Sequence, residues 1–257
     1  MPLEKAFRDQ VLAYCDRDLP SAADVTAMFD FLEDEGLRNR IEAEFHSARY
    51  IYKLGEALNV ADARLHGHVK FQIVQYAGIY EAIIVHLLWT KFVDHLAVTS
   101  MEFHKVYKKA ASLPSTLHFA TASGEEISLC VHVTEKTNPF SIKFDDKVDA
   151  AVAIGFVDES IGEDIKSFYK LRNGIHLESA IKNQIKYELD SSHLAYRRMK
   201  PFTEGIRGYL RNGKIPGNAS LKKRITSSEE GAGAQTVTKV THAKPRAKTD
   251  RRAIKQE

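Results

Sequence analysis

The chain has 257 residues, of which 44% are hydrophobic and 28% charged, and this composition is typical of an ordinary globular protein. Its most apolar stretch, residues 69–93, is interrupted by polar and charged side chains, and the N-terminus has no apolar signal core. We therefore expect no membrane association and a cytoplasmic location. The two cysteines, Cys15 and Cys130, have no ligand spacing, and phosphate-loop and dinucleotide fingerprints are absent, so neither a metal nor a cofactor is predicted.

Residues 1–60 are predicted to form an N-terminal helical hairpin. Ser21, with Asp24 three residues later, has the pattern of a helix start. Gly36 follows the apolar positions of that helix, in the place that favours a left-handed cap. A further helix is predicted for residues 37–58.

The strongest helical signal of the chain covers residues 65–96. Apolar residues occur there nearly all round the helix, which predicts a buried helix. Glu81 lies in its middle, and a carboxylate in an apolar core must be paired or neutralised. Two interpretations stay open, a structural partner such as an arginine or a helix terminus, or a supporting role in orienting a functional arginine.

A β-hairpin insertion is predicted at about residues 115–135. Residues 116–121 and 127–134 alternate apolar with polar or β-branched residues, and residues 122–125 between them have turn composition. The fold class expected is therefore all-α, with one small β-hairpin insertion.

The segment Ile165–Glu178 is amphipathic and predicts a single helix. A spacing of four residues would bring Arg172 and His176 to the same helix face, with Asn173 beside them. A guanidinium and an imidazole in that arrangement could converge on one phosphate. Gly174 is a poor helix former, and it predicts a bend or the close approach of another backbone.

The last predicted helix begins at Ser191 or Ser192 and extends to Leu210, and Pro201 should kink it or split it in two. Residues 212–257 lack hydrophobic periodicity, which predicts a disordered tail. Its residues 214–257 include eleven basic and four acidic side chains, a net charge of +7, whereas the preceding residues carry −4. The tail could attract nucleic acid without sequence preference or serve only solubility. Its candidate nucleic-acid-binding residues are Lys222, Lys223, Arg224, Arg251 and Arg252.

Two segments resemble a known protein family. The motif Leu171-Arg-Asn-Gly-Ile-His-Leu177 is similar to the active-site helix of HEPN domains (higher eukaryotes and prokaryotes nucleotide-binding), and the apolar helix Tyr76–Leu88 with its single glutamate is similar to another helix of that family. The resemblance covers about residues 65–211 and implies a HEPN-like helical bundle over residues 61–211. It also implies catalytic roles for Arg172, Asn173 and His176, with Glu81 in support.

HEPN ribonucleases, as the resemblance implies, cleave RNA without a metal between two paired protomers, so RNA and a second copy of the chain are the expected partners. One histidine can accept the proton of a ribose 2′-hydroxyl and another can protonate the leaving 5′-oxygen, while an arginine stabilises the phosphate. The expected products are a 2′,3′-cyclic phosphate and a 5′-hydroxyl end. Such domains act as toxins or antiviral-defence effectors, which implies an antitoxin or sensor protein as a further partner.

Three alternatives stay open. Only three residues separate Arg172 from His176, where the family has four to six, and this favours a non-catalytic HEPN-like module that binds a nucleotide, RNA or a protein. Arg40 and His46 are separated by five residues, which fits the family spacing better, although the charged face of a surface helix is the simpler interpretation. In the third alternative the chain is a structural helical protein and the motif is accidental.

Overall fold

Nine helices make up most of the described residues, which are 2–110 and 119–213 of the chain in a computed structural model. About 67% of these residues are helical, and two small antiparallel sheets complete the regular structure. The helices are α1 (Lys5–Cys15), α2 (Ala22–Met28), α3 (Glu35–Ala57), α4 (Asp62–Thr90), α5 (Leu96–Glu102), α6 (Phe144–Ile154), α7 (Glu159–Asn173), α8 (Leu177–Lys182) and α9 (Leu189–Asn212). The strands are β1 (Phe103–Lys109), β2 (Phe119–Ala120), β3 (Glu126–Ile127) and β4 (Cys130–Lys136).

Helix α4 is buried on nearly all sides, as predicted, and α3, α6, α7 and α9 pack around it. Tyr76, Tyr80, Ile83 and Leu87 on this helix are fully buried. The Tyr80 hydroxyl donates a hydrogen bond to the carbonyl of Ala195 in α9, at 2.7 Å. By length and composition alone α4 could cross a membrane, but 61% of its most apolar stretch is buried inside the structure, and a central helix of a bundle has the same composition.

Capping side chains explain where the N-terminal helices begin. Ser21 and Asp24 form the predicted capping box at the start of α2. Asp34 accepts a backbone hydrogen bond in the first turn of α3 and so fixes the start of that helix. Gly36 therefore lies inside the first turn of α3, and the prediction that it ends the preceding helix is wrong. That preceding helix already ends at Met28.

The β insertion is present, but its main pairing differs from the prediction. Strands β1 and β4 pair antiparallel along their whole length, with Tyr107 opposite His132. The predicted strand 127–134 is divided between β3 and β4, and β3 pairs with the short β2 around the turn at residues 121–125. Strand β1 was not predicted, because its three lysines obscure the alternation of apolar and polar residues. Of the predicted partner segment 116–121, only residues 119–121 are described.

Helix α9 runs without interruption from its first residue, Leu189, to its last, Asn212, with Pro201 inside it. The prediction that the proline splits this helix is therefore wrong. Met199 and Phe202 on either side of the proline are buried, and the helix packs against α4 and α7. Tertiary packing thus outweighs the cost of the missing backbone hydrogen bond.

Candidate functional site at the end of helix α7

The central motif is divided between two helices rather than carried by one. Helix α7 ends at Asn173, and Gly174 follows as its C-terminal cap. His176 precedes the first residue of α8 and is its N-terminal cap position. The prediction of a single helix over residues 165–178 is therefore wrong, and Arg172 and His176 do not share one helix face.

At the end of α7, Gly174 leaves room for two side chains of the adjacent chain. A Cβ atom there would lie 2.7 Å from Ile185 Cδ1 and 2.8 Å from the Tyr187 hydroxyl oxygen. That hydroxyl donates a hydrogen bond of 2.9 Å to the carbonyl of Leu171. The predicted close approach of another part of the chain to this glycine therefore occurs, but the approaching atoms belong to side chains and not to a backbone.

A tight turn nevertheless keeps the three candidate residues near one another. The N–H of Gly174 donates to the carbonyl of Leu171 at 3.0 Å, and the N–H of Ile175 donates to the carbonyl of Arg172 at 3.1 Å. Asn173 and His176 are exposed on the two sides of this turn. In the described part of the chain, neither side chain makes a hydrogen bond, so both are accessible to a ligand.

Arg172 is held by the glutamate that the sequence analysis singled out. Its Nη2 lies 3.4 Å from Oε2 of Glu81 on α4, and the two side chains are 37% and 27% exposed. The guanidinium also lies over the ring of Tyr169, 5.2 Å from the ring centroid. Glu81 is therefore partly exposed and not enclosed in the apolar core as expected, and its partner is the arginine of the motif.

Tyr169 and Lys147 form the inner wall of this cluster. The ring of Tyr169 packs against Phe144 with centroids 4.2 Å apart. Burial raises the pKa of the Tyr169 hydroxyl above its ordinary value, and the negative charge of Glu81 raises it further. Burial lowers the pKa of Lys147, which is only 5% exposed, although Glu81 opposes this shift. Glu81 therefore has the guanidinium of Arg172 beside it, and its charge also acts on Tyr169 and Lys147.

An open groove of about 700 Å³ adjoins Asn173 and Tyr169. Three lysines line it, and Lys166 is already bound to Asp149 and Glu163 on the same surface. The side chains of the other two, Lys143 and Lys170, make no hydrogen bond or ion pair with any described residue. A shallower pocket contains His176 together with Lys182. The groove and the pocket share two lining residues, Ser179 and Asn183.

Sequence reasoning missed the lysines of the groove and the aromatic support of the arginine. Tyr169 precedes Arg172 by three residues, a helical spacing that could have suggested the contact. Lys143 and Lys147 come from a distant part of the chain, and no local pattern connects them with the motif. The tail candidates Lys222, Lys223, Arg224, Arg251 and Arg252 lie outside the described residues, as does the predicted disorder beyond residue 213.

The second arginine and histidine pair lies on the surface of α3. Arg40 is bound to Glu44 at 2.6 Å, and its side chain is 77% exposed. No described contact joins Arg40 to His46. This arrangement favours the interpretation as a charged surface helix.

Within residues 2–110 and 119–213, no three histidine, cysteine, aspartate or glutamate side chains lie close enough to hold a metal ion. No protein family, curated protein or solved structure matches this chain. The likeness to HEPN domains therefore depends on the residues quoted above, and the chemistry of the site depends on its geometry.

Proposed function

We propose that the chain is a HEPN-like, metal-independent endoribonuclease that cuts RNA at the turn between α7 and α8. The observation that carries this proposal is the guanidinium of Arg172, held by Glu81, beside the exposed Asn173 and His176. An arginine oriented in advance binds a phosphate at a lower entropic cost than a free one. The products of the proposed reaction are a 2′,3′-cyclic phosphate and a 5′-hydroxyl end.

Each residue of the turn has a role that its position supports. Arg172 contacts a non-bridging phosphate oxygen and stabilises the charge that develops in the transition state. Asn173 positions the phosphate or the ribose through its amide. His176 transfers a proton, either from the 2′-hydroxyl or to the leaving 5′-oxygen. Glu81 is a positioning residue, because it acts on the phosphate only through Arg172.

The groove beside the turn supports RNA as the substrate class. Lys143 and Lys170 line this groove without a described acidic partner, so their charges are available to a polyanion. Lys182 extends the positive charge into the pocket of His176. Two carboxylates also line the groove, but Glu163 is bound to Lys166, so the two unpaired lysines outnumber the remaining one, Asp145.

An apolar patch next to the turn supports the proposed homodimer. Ile175, Leu177 and Ile181 are 49%, 76% and 78% exposed. Large apolar side chains clustered beside a polar site are typical of a surface that a partner covers. A second copy on this patch would bring a second His176, so that one histidine accepts a proton while the other donates one.

A non-catalytic module that binds RNA, a nucleotide or a protein is the second candidate. It is favoured by the helix break at Gly174, because Arg172 and His176 then belong to different helices and His176 lines a pocket of its own. In this candidate the lysines and Arg172 hold a phosphate, and no proton is transferred.

Cleavage of purified RNA in the presence of EDTA tests the proposal. We expect the wild type to cut and to leave cyclic phosphate ends, and we expect His176→Ala and Arg172→Ala to abolish cutting while circular dichroism stays unchanged. Glu81→Gln should reduce cutting less than Arg172→Ala, since the guanidinium remains but loses its orientation. His46→Ala, which removes a histidine outside the site, should cut normally.

The outcomes separate the two candidates. RNA that binds but stays intact with folded wild-type protein would favour the binding module over the ribonuclease. Cutting that survives His176→Ala but disappears with His46→Ala would place the active site on α3.

The proposed cellular role as a toxin or defence effector predicts that expression of the wild type arrests growth and that expression of the His176→Ala protein does not. A co-expressed antitoxin or sensor protein should then relieve the arrest.

A further inference from the structure

The ribbon formed by β1 and β4 has two faces of different chemistry. Directly opposite residues of an antiparallel pair point to the same face, so the register assigns each side chain to a face. One face, called here the aromatic face, has no acidic side chain and carries Phe103, Lys105, Tyr107, Lys109, His132 and Lys136. The opposite face carries Val106, Val131 and Val133, with the ion pair of Lys108 and Glu135 across it.

The aromatic rings of this face are open to solvent. Tyr107 is 71% exposed and Phe103 is 46% exposed. The ring of His132 stands edge-on against Tyr107, with centroids 4.0 Å apart, and so limits the orientations of the phenol. A ring that is exposed yet restrained can stack with a planar group at little entropic cost.

Lysines flank the exposed tyrosine at a spacing of two residues. The Lys105 side chain makes no hydrogen bond or ion pair with any described residue. Lys109 contacts Glu126 at 3.0 Å, but both side chains are more than 60% exposed, and such a pair is weak enough to exchange for a phosphate. Cations alternating with aromatic rings along an extended surface match the alternation of phosphates and bases in a nucleic-acid strand.

We propose that the aromatic face of the ribbon binds single-stranded RNA, with bases stacked on Tyr107 and Phe103 and phosphates in contact with Lys105 and Lys109. The strand must be single, because the bases of a duplex are already stacked and paired and cannot reach a protein ring. The choice of RNA over DNA rests on the proposed function, whereas the stacking itself requires no cleavage.

A series of contacts connects the base of this ribbon with Lys147 of α6. Lys147, which feels the charge of Glu81, lies over the ring of Trp89 at 5.5 Å from its centroid. The indole of Trp89 donates to Oε1 of Glu102 at 2.7 Å, and Oε2 of Glu102 lies 3.3 Å from Nζ of Lys136. The base of the ribbon is therefore joined through Glu102 to Trp89 of α4, and Lys147 of α6 packs over the same indole.

The chain that leaves the ribbon also forms one wall of the groove. Strand β4 ends at Lys136, and a 3-10 turn at residues 139–141 leads to Ile142 and Lys143, which line the groove together with Asn173. The end of the ribbon is therefore close in the chain to one wall of the groove. The ribbon captures the substrate, and the turn acts on it.

Fluorescence anisotropy with the full-length His176→Ala protein tests this inference without cleavage of the probe. The probe is a labelled oligouridine strand, compared with the same strand annealed to oligoadenosine and with the corresponding oligothymidine. We expect Tyr107→Ala to weaken oligouridine binding by about fivefold or more and Tyr107→Phe to preserve it, because only the first removes a stacking surface. Duplex and DNA probes should bind more weakly than the single RNA strand.

Two lysines of the ribbon provide a matched comparison. Lys105→Gln and Lys108→Gln change the net charge equally, but only Lys105 lies on the aromatic face. Lys105→Gln should weaken binding and make its salt dependence shallower by about 0.7 in the logarithmic slope, and Lys108→Gln should leave both unchanged. Circular dichroism of each variant shows whether the fold is retained.

Equal effects of the two lysine substitutions, or unchanged binding by Tyr107→Ala, would overturn the inference, and so would tighter binding of the duplex or DNA probe. A wild type that never cuts RNA but binds oligouridine through Tyr107 would refute the proposed ribonuclease and leave this inference in place. If the wild type cuts RNA, and the Tyr107→Ala protein both cuts it equally well and binds oligouridine with unchanged affinity, the proposed ribonuclease stands and this inference is refuted.

Discussion

Gly174 suits the end of α7 because of the space that it leaves and not because of its backbone conformation. Its φ of −68° is accessible to any residue. What excludes a side chain is the approach of Ile185 and Tyr187 within 2.8 Å of the position of a Cβ. The shape of the proposed active site therefore depends on the absence of one methyl group.

Gly174→Ala should lower the free energy of unfolding by about 1 kcal/mol, because the Tyr187 side chain must move away and its hydroxyl then loses the hydrogen bond to the Leu171 carbonyl. Gly78→Ala is the matched control, since nothing lies within 4 Å of a Cβ at that position in α4. It should raise the free energy of unfolding by about 0.5–1 kcal/mol through the better helix propensity of alanine. Urea unfolding of both variants measures the difference, and a neutral or stabilising Gly174→Ala would show that the turn has room.

Tyr80 gives the fold a dependence on alkaline pH. Complete burial raises the pKa of its hydroxyl well above the ordinary value of 10. The folded protein therefore keeps this proton where the unfolded chain has lost it, and stability falls as the pH rises from 10 towards the folded pKa, by up to about 1.4 kcal/mol per pH unit. Below pH 10 both states hold the proton, and the contribution of Tyr80 is constant.

The Tyr80→Phe protein should lose stability less steeply above pH 10 than the wild type does. Near neutral pH it should be about 1 kcal/mol less stable, since the hydrogen bond to the Ala195 carbonyl is lost. Urea unfolding across the alkaline range gives both slopes. Parallel slopes for the two proteins would mean that Tyr80 does not govern this pH dependence.

The role of a single residue could be predicted from the sequence where its own surroundings in the chain set a physical requirement. A carboxylate in the middle of an apolar helix needs a partner, so the pairing of Glu81 with an arginine could be anticipated. Tyr169 could also have been assigned to the site, because it precedes Arg172 by three residues on the same helix. Lys143 and Lys147 could not, because their positions depend on how α6 packs against α4 and α7.

Helices and strands were also predictable from the sequence only where the signal was local. The start of α2 could be predicted, since Ser21 and Asp24 form a self-contained capping box. The pairing of β1 with β4 could not, because these strands are separated by twenty residues and each is exposed on both faces, which leaves no apolar alternation to read. The split predicted at Pro201 does not occur, because the packing of the two buried residues on either side of the proline keeps α9 continuous.

Pro201→Ala should raise the free energy of unfolding by about 1–3 kcal/mol, because alanine restores a backbone donor and removes the clash with the preceding turn. Lys200→Ala at the neighbouring exposed position is the control, with an expected change within about 0.5 kcal/mol. Thermal unfolding followed at 222 nm, the helix band, compares the two variants. A destabilising Pro201→Ala would indicate that α9 depends on a bend at the proline.

At the scale of the whole molecule, the proposed site and the proposed dimer surface are the same region. Leu177 and Ile181 on α8 are both more than three-quarters exposed, and they follow His176 directly in the chain. Exposed leucines elsewhere, such as Leu96, do not adjoin the turn or its groove. A dimer formed through α8 would therefore complete the site, and its loss would remove activity without a change in any catalytic residue.

The double substitution Leu177→Ser and Ile181→Ser should convert the wild-type dimer to a monomer, because it removes the apolar area that α8 would bury. Light scattering after size-exclusion chromatography measures the mass, and the cleavage assay should show activity lost together with the dimer. Leu96→Ser is the matched control, since Leu96 is 78% exposed outside this patch, and it should leave both mass and cleavage unchanged. A fully active monomer would show that one Arg172 and one His176 suffice, and the apolar patch would then belong to a different partner.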